Sequence, residues 1–199
     1  MPINNEHIIQ LLREKKLLRS IELTSLGMDR KAILRMVDSG ELMKIAYGLY
    51  CSPDYIPGPY HSLIEAQKFV DKGIICLSSA LSYYEIGVQN PSLVWMAIPG
   101  RSWATEIKEI PVKIVRFSGK AYEEGIIDQE MDGVSVKIYS IAKTLADCFK
   151  FRNKIGIETA IEALREIIQY KKATIDEILY YADICRVRKV MTPYLESIV

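Results

Sequence analysis

Few residues in this chain invite a catalytic reading. Glu106-Ile107-Lys108 has the spacing of the ExK triplet of metal-dependent nucleases, where the carboxylate holds the ion and the lysine supports the attacking water. The triplet lies in a polar stretch before Val112, and its nearest acidic candidates, Asp71 and Glu85, have no recognisable strand-end placement. The two histidines, His7 and His61, stand beside no nucleophile motif, and GxSxG, HExxH and a Gly-rich phosphate loop are absent. Ser118-Gly119-Lys120 lacks the upstream glycine of a P-loop. Asp147 follows Leu145 in a segment with Ile141 and Phe149, next to Lys150, Arg152 and Lys154, and reads as a satisfied structural carboxylate. Trp95 and Trp103 flank Pro99-Gly100-Arg101, for which a core Trp95 beside an exposed Trp103 is the simpler account. Arg186-Val187-Arg188-Lys189 suits a phosphate or acidic surface, or a solvated helix end. No enzyme activity, cofactor or metal is expected.

The second chemistry is recognition of DNA. Between Gln10 and Tyr50 the chain carries eight basic residues (Arg13, Lys15, Lys16, Arg19, Arg30, Lys31, Arg35, Lys44) against five acidic ones (Glu14, Glu22, Asp29, Asp38, Glu41). A guanidinium bonds the guanine edge through two parallel donors, which suits Arg30 and Arg35, whereas Lys31 and Lys44 suit phosphates. Tyr47, at a hairpin tip, is placed to approach the sugar-phosphate wall. Which of these reads a base is open, and a merely solvated basic face with the module serving protein contact is the alternative. Whole-chain charge is only +1, so any DNA site must be local rather than driven by a global field.

The elements that must hold these residues are legible. Ile8, Leu11, Leu12 and Leu18 recur at helical spacing and predict a first helix over Asn4 to Leu18. Ser20 is expected to cap a second helix ending at Gly27, and Asp29 a third. On that third helix Ala32, Ile33, Met36 and Val37 share one face, while Arg30, Lys31, Leu34 and Arg35 share the other. Gly40 ends it, and Glu41 to Ser52 reads as a hairpin turning at Ala46-Tyr47-Gly48. Three helices then a hairpin is a winged helix-turn-helix, whose third helix enters the major groove.

Ser52 to Pro59, with three prolines and a glycine, marks a boundary. The expected organisation is a winged module over 1–52, a linker over 53–59 and a second domain over 60–199. Beyond the linker the pattern predicts a helix over Tyr60 to Lys72, a strand from Ile74 to Leu77, and a helix capped by Ser78 that ends near Gly87. Strands follow at Leu93 to Ile98 and Val112 to Phe117, with a hairpin over Ile126 to Tyr139 turning at Met131-Asp132-Gly133. From Ser140 the chain reads as helical, with caps at Ser140 and Thr174 and a short closing segment after Pro193. The fold class is α+β: an N-terminal winged helix-turn-helix followed by a mixed α/β domain with a C-terminal helical layer.

Composition agrees with a globular chain of 199 residues, 49% hydrophobic and 26% charged. No apolar run reaches the roughly 18 residues a membrane helix needs, and MPINNEHIIQ lacks a signal-peptide pattern, so a cytoplasmic location without membrane contact is expected. Cys51, Cys76, Cys148 and Cys185 form no CxxC pair and are expected as buried, reduced thiols.

Three segments in order carry a family likeness: Gly40-Glu41-Leu42 with Tyr47-Gly48-Leu49-Tyr50, then Leu77-Ser78-Ser79-Ala80-Leu81, then Thr144-Leu145-Ala146-Asp147-Cys148-Phe149-Lys150 followed by Gly156 and Glu162-Ala163-Leu164-Arg165. Together they span nearly the whole chain, which resembles the AbiEi-type antitoxins of bacterial toxin-antitoxin (abortive infection, phage-defence) systems. The resemblance implies an autorepressor that binds inverted repeats in its own promoter and neutralises a companion nucleotidyltransferase-like toxin through its second domain. By position it makes Arg30, Lys31, Arg35 and Lys44 the operator contacts, with acidic Asp29 and Glu41 flanking them.

Overall fold

The computed structural model of the chain describes residues 5–15, 17–46, 48–87, 91–102 and 111–198. The first elements are α1 (Asn5–Lys15), β1 (Leu17–Arg19), α2 (Ser20–Ser25), α3 (Arg30–Asp38), β2 (Met43–Ala46) and β3 (Leu49–Cys51). The three strands form an antiparallel sheet in the order β1-β3-β2. Helices and sheet close on Ile8, Leu12, Leu18, Leu23, Ile33, Met36, Leu42 and Tyr50. This is the winged helix-turn-helix the pattern predicts, with two local corrections. The first helix stops at Lys15, and Leu18 lies in β1 opposite Tyr50, where strand alternation sends Leu18 into the module's own core and Leu17 into the core on the other side. Ser20 is the first helical residue rather than the cap. Arg19 occupies the cap position, and its backbone N–H donates to the Glu22 carboxylate at 2.7 Å.

The remaining chain runs α4 (His61–Phe69), β4 (Ile74–Ile75), α5 (Leu77–Tyr83), β5 (Val94–Pro99), β6 (Val112–Phe117), α6 (Lys120–Glu123), β7 (Ile126–Met131), β8 (Val134–Tyr139), α7 (Ile141–Lys150), α8 (Arg152–Ile155), α9 (Ile157–Gln169), α10 (Ile175–Ile184) and α11 (Arg188–Glu196). The described strands make a mixed sheet in the order β6-β5-β4-β8-β7, with β5/β6 and β4/β8 parallel and the other pairs antiparallel. Asp132 and Gly133 both take positive φ, +50° and +78°, as a two-residue turn between strands of natural twist demands. Ser78 sits inside α5, whose cap position belongs to Cys76. Pro193 lies within α11 rather than before it.

Strand alternation divides the interior. Ile74, Trp95, Ala97, Val115, Phe117 and Tyr139 meet α5, α7, α9, α10 and α11, the expected helical layer. Ile75, Val94, Met96, Val136 and Ile138 face the other way, onto Ile64 and Ala66 of α4 and onto Leu17, Leu49 and Cys51 of the winged sheet. The winged module thus forms part of the cover over the second sheet. Two ion pairs reinforce the contact, Arg19 with Asp71 at 2.6 Å and Lys68 with Glu22 at 3.4 Å. The Pro- and Gly-rich connection runs against the same region: a Cβ at Gly58 would fall 2.2 Å from the Asp132 carboxylate, so a larger residue there would have to displace that side chain.

Candidate nucleic-acid interface

Local chemistry fixes α3 at both ends. At the close of α2, Gly27 takes φ +90°, its N–H donates to the Thr24 carbonyl at 2.9 Å, and the Met28 N–H donates to the Leu23 carbonyl at 3.2 Å. This pair of bonds is a Schellman closure, and buried Met28 and Leu23 supply its apolar contact. The Asp29 carboxylate then accepts the Ala32 N–H at 2.6 Å, capping α3. At the far end Gly40 takes φ +76° and lets the chain turn into the wing.

With its ends set, α3 packs Ile33 and Met36 fully and Ala32 and Val37 partly, while Arg30, Lys31, Leu34 and Arg35 point to solvent. Among the described residues none of the three cations is held in an ion pair. Lys44 is exposed on β2, opposite Tyr50 of β3. The Ser20 N–H donates to the Gly48 carbonyl at 2.8 Å, which fastens the wing to the start of α2. Tyr47, expected at the wing tip, lies outside the described residues. The structure therefore brings Arg30, Lys31 and Arg35 onto one exposed face and places Lys44 on the adjoining wing. It also exposes an apolar residue in their midst, Leu34, which charge counting passed over.

Elsewhere the suspected chemistry takes structural form or lies beyond description. Glu106, Lys108 and Trp103 fall outside the described residues. Among those described, no three His, Cys, Asp or Glu side chains gather as a metal site requires. His61, the first residue of α4, sits between the Tyr55 hydroxyl, 3.0 Å from its Nδ1, and the Glu65 carboxylate, 3.2 Å from its Nε2. All four cysteines are buried and unbonded to one another. Burial pushes the Cys51 thiol up to about 11 and the Cys185 thiol up to about 12, so neither supplies a thiolate nucleophile near neutral pH.

Asp147 is the satisfied carboxylate its setting suggests, but its partner is Lys143 rather than the basic cluster after it. The Lys143 Nζ donates to both carboxylate oxygens at 2.7 and 2.6 Å, and both side chains are fully buried. The Cys185 thiol donates to the same carboxylate at 3.2 Å. Burial raises the Asp147 pKa, and Lys143 opposes the rise. The ammonium also lies over the Tyr139 ring at 3.9 Å and the Phe117 ring at 4.6 Å, which replaces part of its lost hydration. The spacing that would have exposed the pair is Lys-x-x-x-Asp on an otherwise apolar helix face.

Residues 6–53 match the family model described as transcriptional regulator, AbiEi antitoxin. That span covers the winged module from α1 through the wing. No curated protein matches the sequence. Among solved structures, the Rv2827c protein from Mycobacterium tuberculosis has a similar fold, with a TM-score of 0.60 over 95% of this chain and 79% of that one, at 12% identity. No helix among the described residues is long and apolar enough to cross a membrane.

Proposed function

Because the winged module carries an AbiEi-type regulator signature, we propose that the protein is a DNA-binding antitoxin that represses its own promoter and neutralises a companion nucleotidyltransferase-like toxin. The observation that carries the DNA-binding half is the exposed face of α3, where Arg30, Lys31 and Arg35 stand on a helix whose opposite face is locked into the core. In this reading α3 lies in the major groove. Arg30 and Arg35 compete for guanine edges, Lys31 meets phosphate, and the wing with Lys44 and Tyr47 follows the flanking backbone. An inverted repeat would seat two copies, one per half-site. The toxin-neutralising half rests on the family likeness and belongs to the part of the chain beyond the wing.

Fluorescence anisotropy against the duplex upstream of the coding sequence, at low and near-physiological salt, tests the first half. Tight binding is expected, with the log-log salt slope steepening by roughly 0.9 for each phosphate neutralised. The Arg30→Ala/Arg35→Ala variant should lose that binding. Equal affinity for a scrambled duplex, or an unchanged affinity in the variant, sinks the repressor reading. Growth rescue on co-expression with a nucleotidyltransferase-like toxin encoded beside this chain tests the second half, and the lack of such a gene or of rescue counts against it.

A further inference from the structure

We infer that Leu34 is a specificity-determining residue of this interface, reading the C5-methyl group of thymine in the major groove; the inference rests on the DNA-binding reading above. Leu34 is 49% exposed on α3, the helix whose other large apolar side chains, Ile33 and Met36, are buried. An isolated exposed leucine needs no explanation in general. Its surroundings are what matter here. Arg30 lies one helical turn before it, Lys31 three residues before it and Arg35 next in sequence, while the exposed Asp38 lies one turn after it, so the leucine stands on an outward face of three cations and one carboxylate. A second copy packed face to face on this helix would oppose two faces that each carry a net positive charge. Duplex DNA instead neutralises the cations with phosphates and offers, among the base edges of the major groove, one apolar group, the thymine methyl. Cations that position the helix and an aliphatic side chain that reads a methyl form a complete recognition set on one exposed face.

The probe is the upstream duplex prepared in two forms, one with thymine throughout and one with uracil at every thymine position, since uracil keeps the hydrogen-bonding edge and lacks only the methyl. Binding of the full chain is measured by anisotropy for wild type, Leu34→Ala and Leu34→Met. For wild type the uracil duplex should bind more weakly, by about four-fold for each methyl contacted. Leu34→Ala should bind the two duplexes alike, and Leu34→Met should keep the preference for thymine. Equal wild-type affinity for the two duplexes overturns the inference and leaves the DNA-binding reading standing. So does a uracil penalty that persists undiminished in Leu34→Ala, which would assign the effect to groove shape or deformability. Failure of wild type to bind either duplex overturns the DNA-binding reading and the inference with it.

Discussion

At the scale of single residues, the buried Lys143–Asp147 pair is the largest electrostatic commitment in the described interior. Its members are mutually dependent, because each alone would be an uncompensated charge out of water. Asp147→Ala is therefore expected to destabilise the protein by about 3–5 kcal/mol, since it strands the Lys143 ammonium. Lys143→Met with Asp147→Leu removes both charges and should recover most of that loss. Urea denaturation of the three proteins checks this; a double variant no more stable than Asp147→Ala would show that the pair matters for its packing shape and not its charge. The sequence pointed to Asp147 but not to its partner, since Lys143 precedes it in a segment that otherwise alternates small and apolar side chains. The same distance between type and setting applies to Leu34, which periodicity placed on the outward face but which no charge pattern marked.

At the scale of elements, α3 is set by Asp29 at its start and Gly40 at its end, both readable in advance because caps act over three or four residues. Asp29→Ala should lower stability by about 1 kcal/mol, measured by thermal or chemical denaturation. Asp29→Asn preserves the cap and removes a negative charge beside Arg30, so its stability should hold while its affinity for the upstream duplex rises. An affinity unchanged or reduced in Asp29→Asn would separate this end of α3 from the phosphates. Elements defined by distant partners were harder to read. β1 is three residues long and exists through β3, thirty or more residues onward, so Leu18 continued the helical pattern of α1 by local spacing alone. Ser78 is a good cap by type, yet the helix follows so closely on β4 that Cys76 takes the cap position and Ser78 falls inside. The β7–β8 hairpin, by contrast, carried its own turn chemistry in Asp132-Gly133 and fell within its expected limits.

At the scale of the whole molecule, the feature least visible in the sequence is the second sheet's other cover. The apolar run of the strands announced a helical layer, but not that Leu17, Leu49 and Cys51 of the winged sheet would share a core with Ile75, Met96, Val136 and Ile138. The proline-rich connection suggested a boundary, and boundaries in sequence say little about what packs across them. A fragment ending at residue 52 would leave those three side chains without their cover. It should unfold without a sharp transition, whereas the full chain should melt as one cooperative unit by circular dichroism and calorimetry. A fragment that melts sharply near the temperature of the full chain would show that the shared core is dispensable to the winged module.

β3 serves two interiors at once, presenting Tyr50 to the helices of its own module and Leu49 and Cys51 to the neighbouring sheet. A reader of DNA bounded on every side by water can be cut from one protein and grafted onto another, but a strand with two obligations travels only with a host that offers an apolar seat for its second face. Gene fusions that transplant this wing onto unrelated partners should survive selection only where the host supplies such a seat or β3 acquires polar residues at positions 49 and 51.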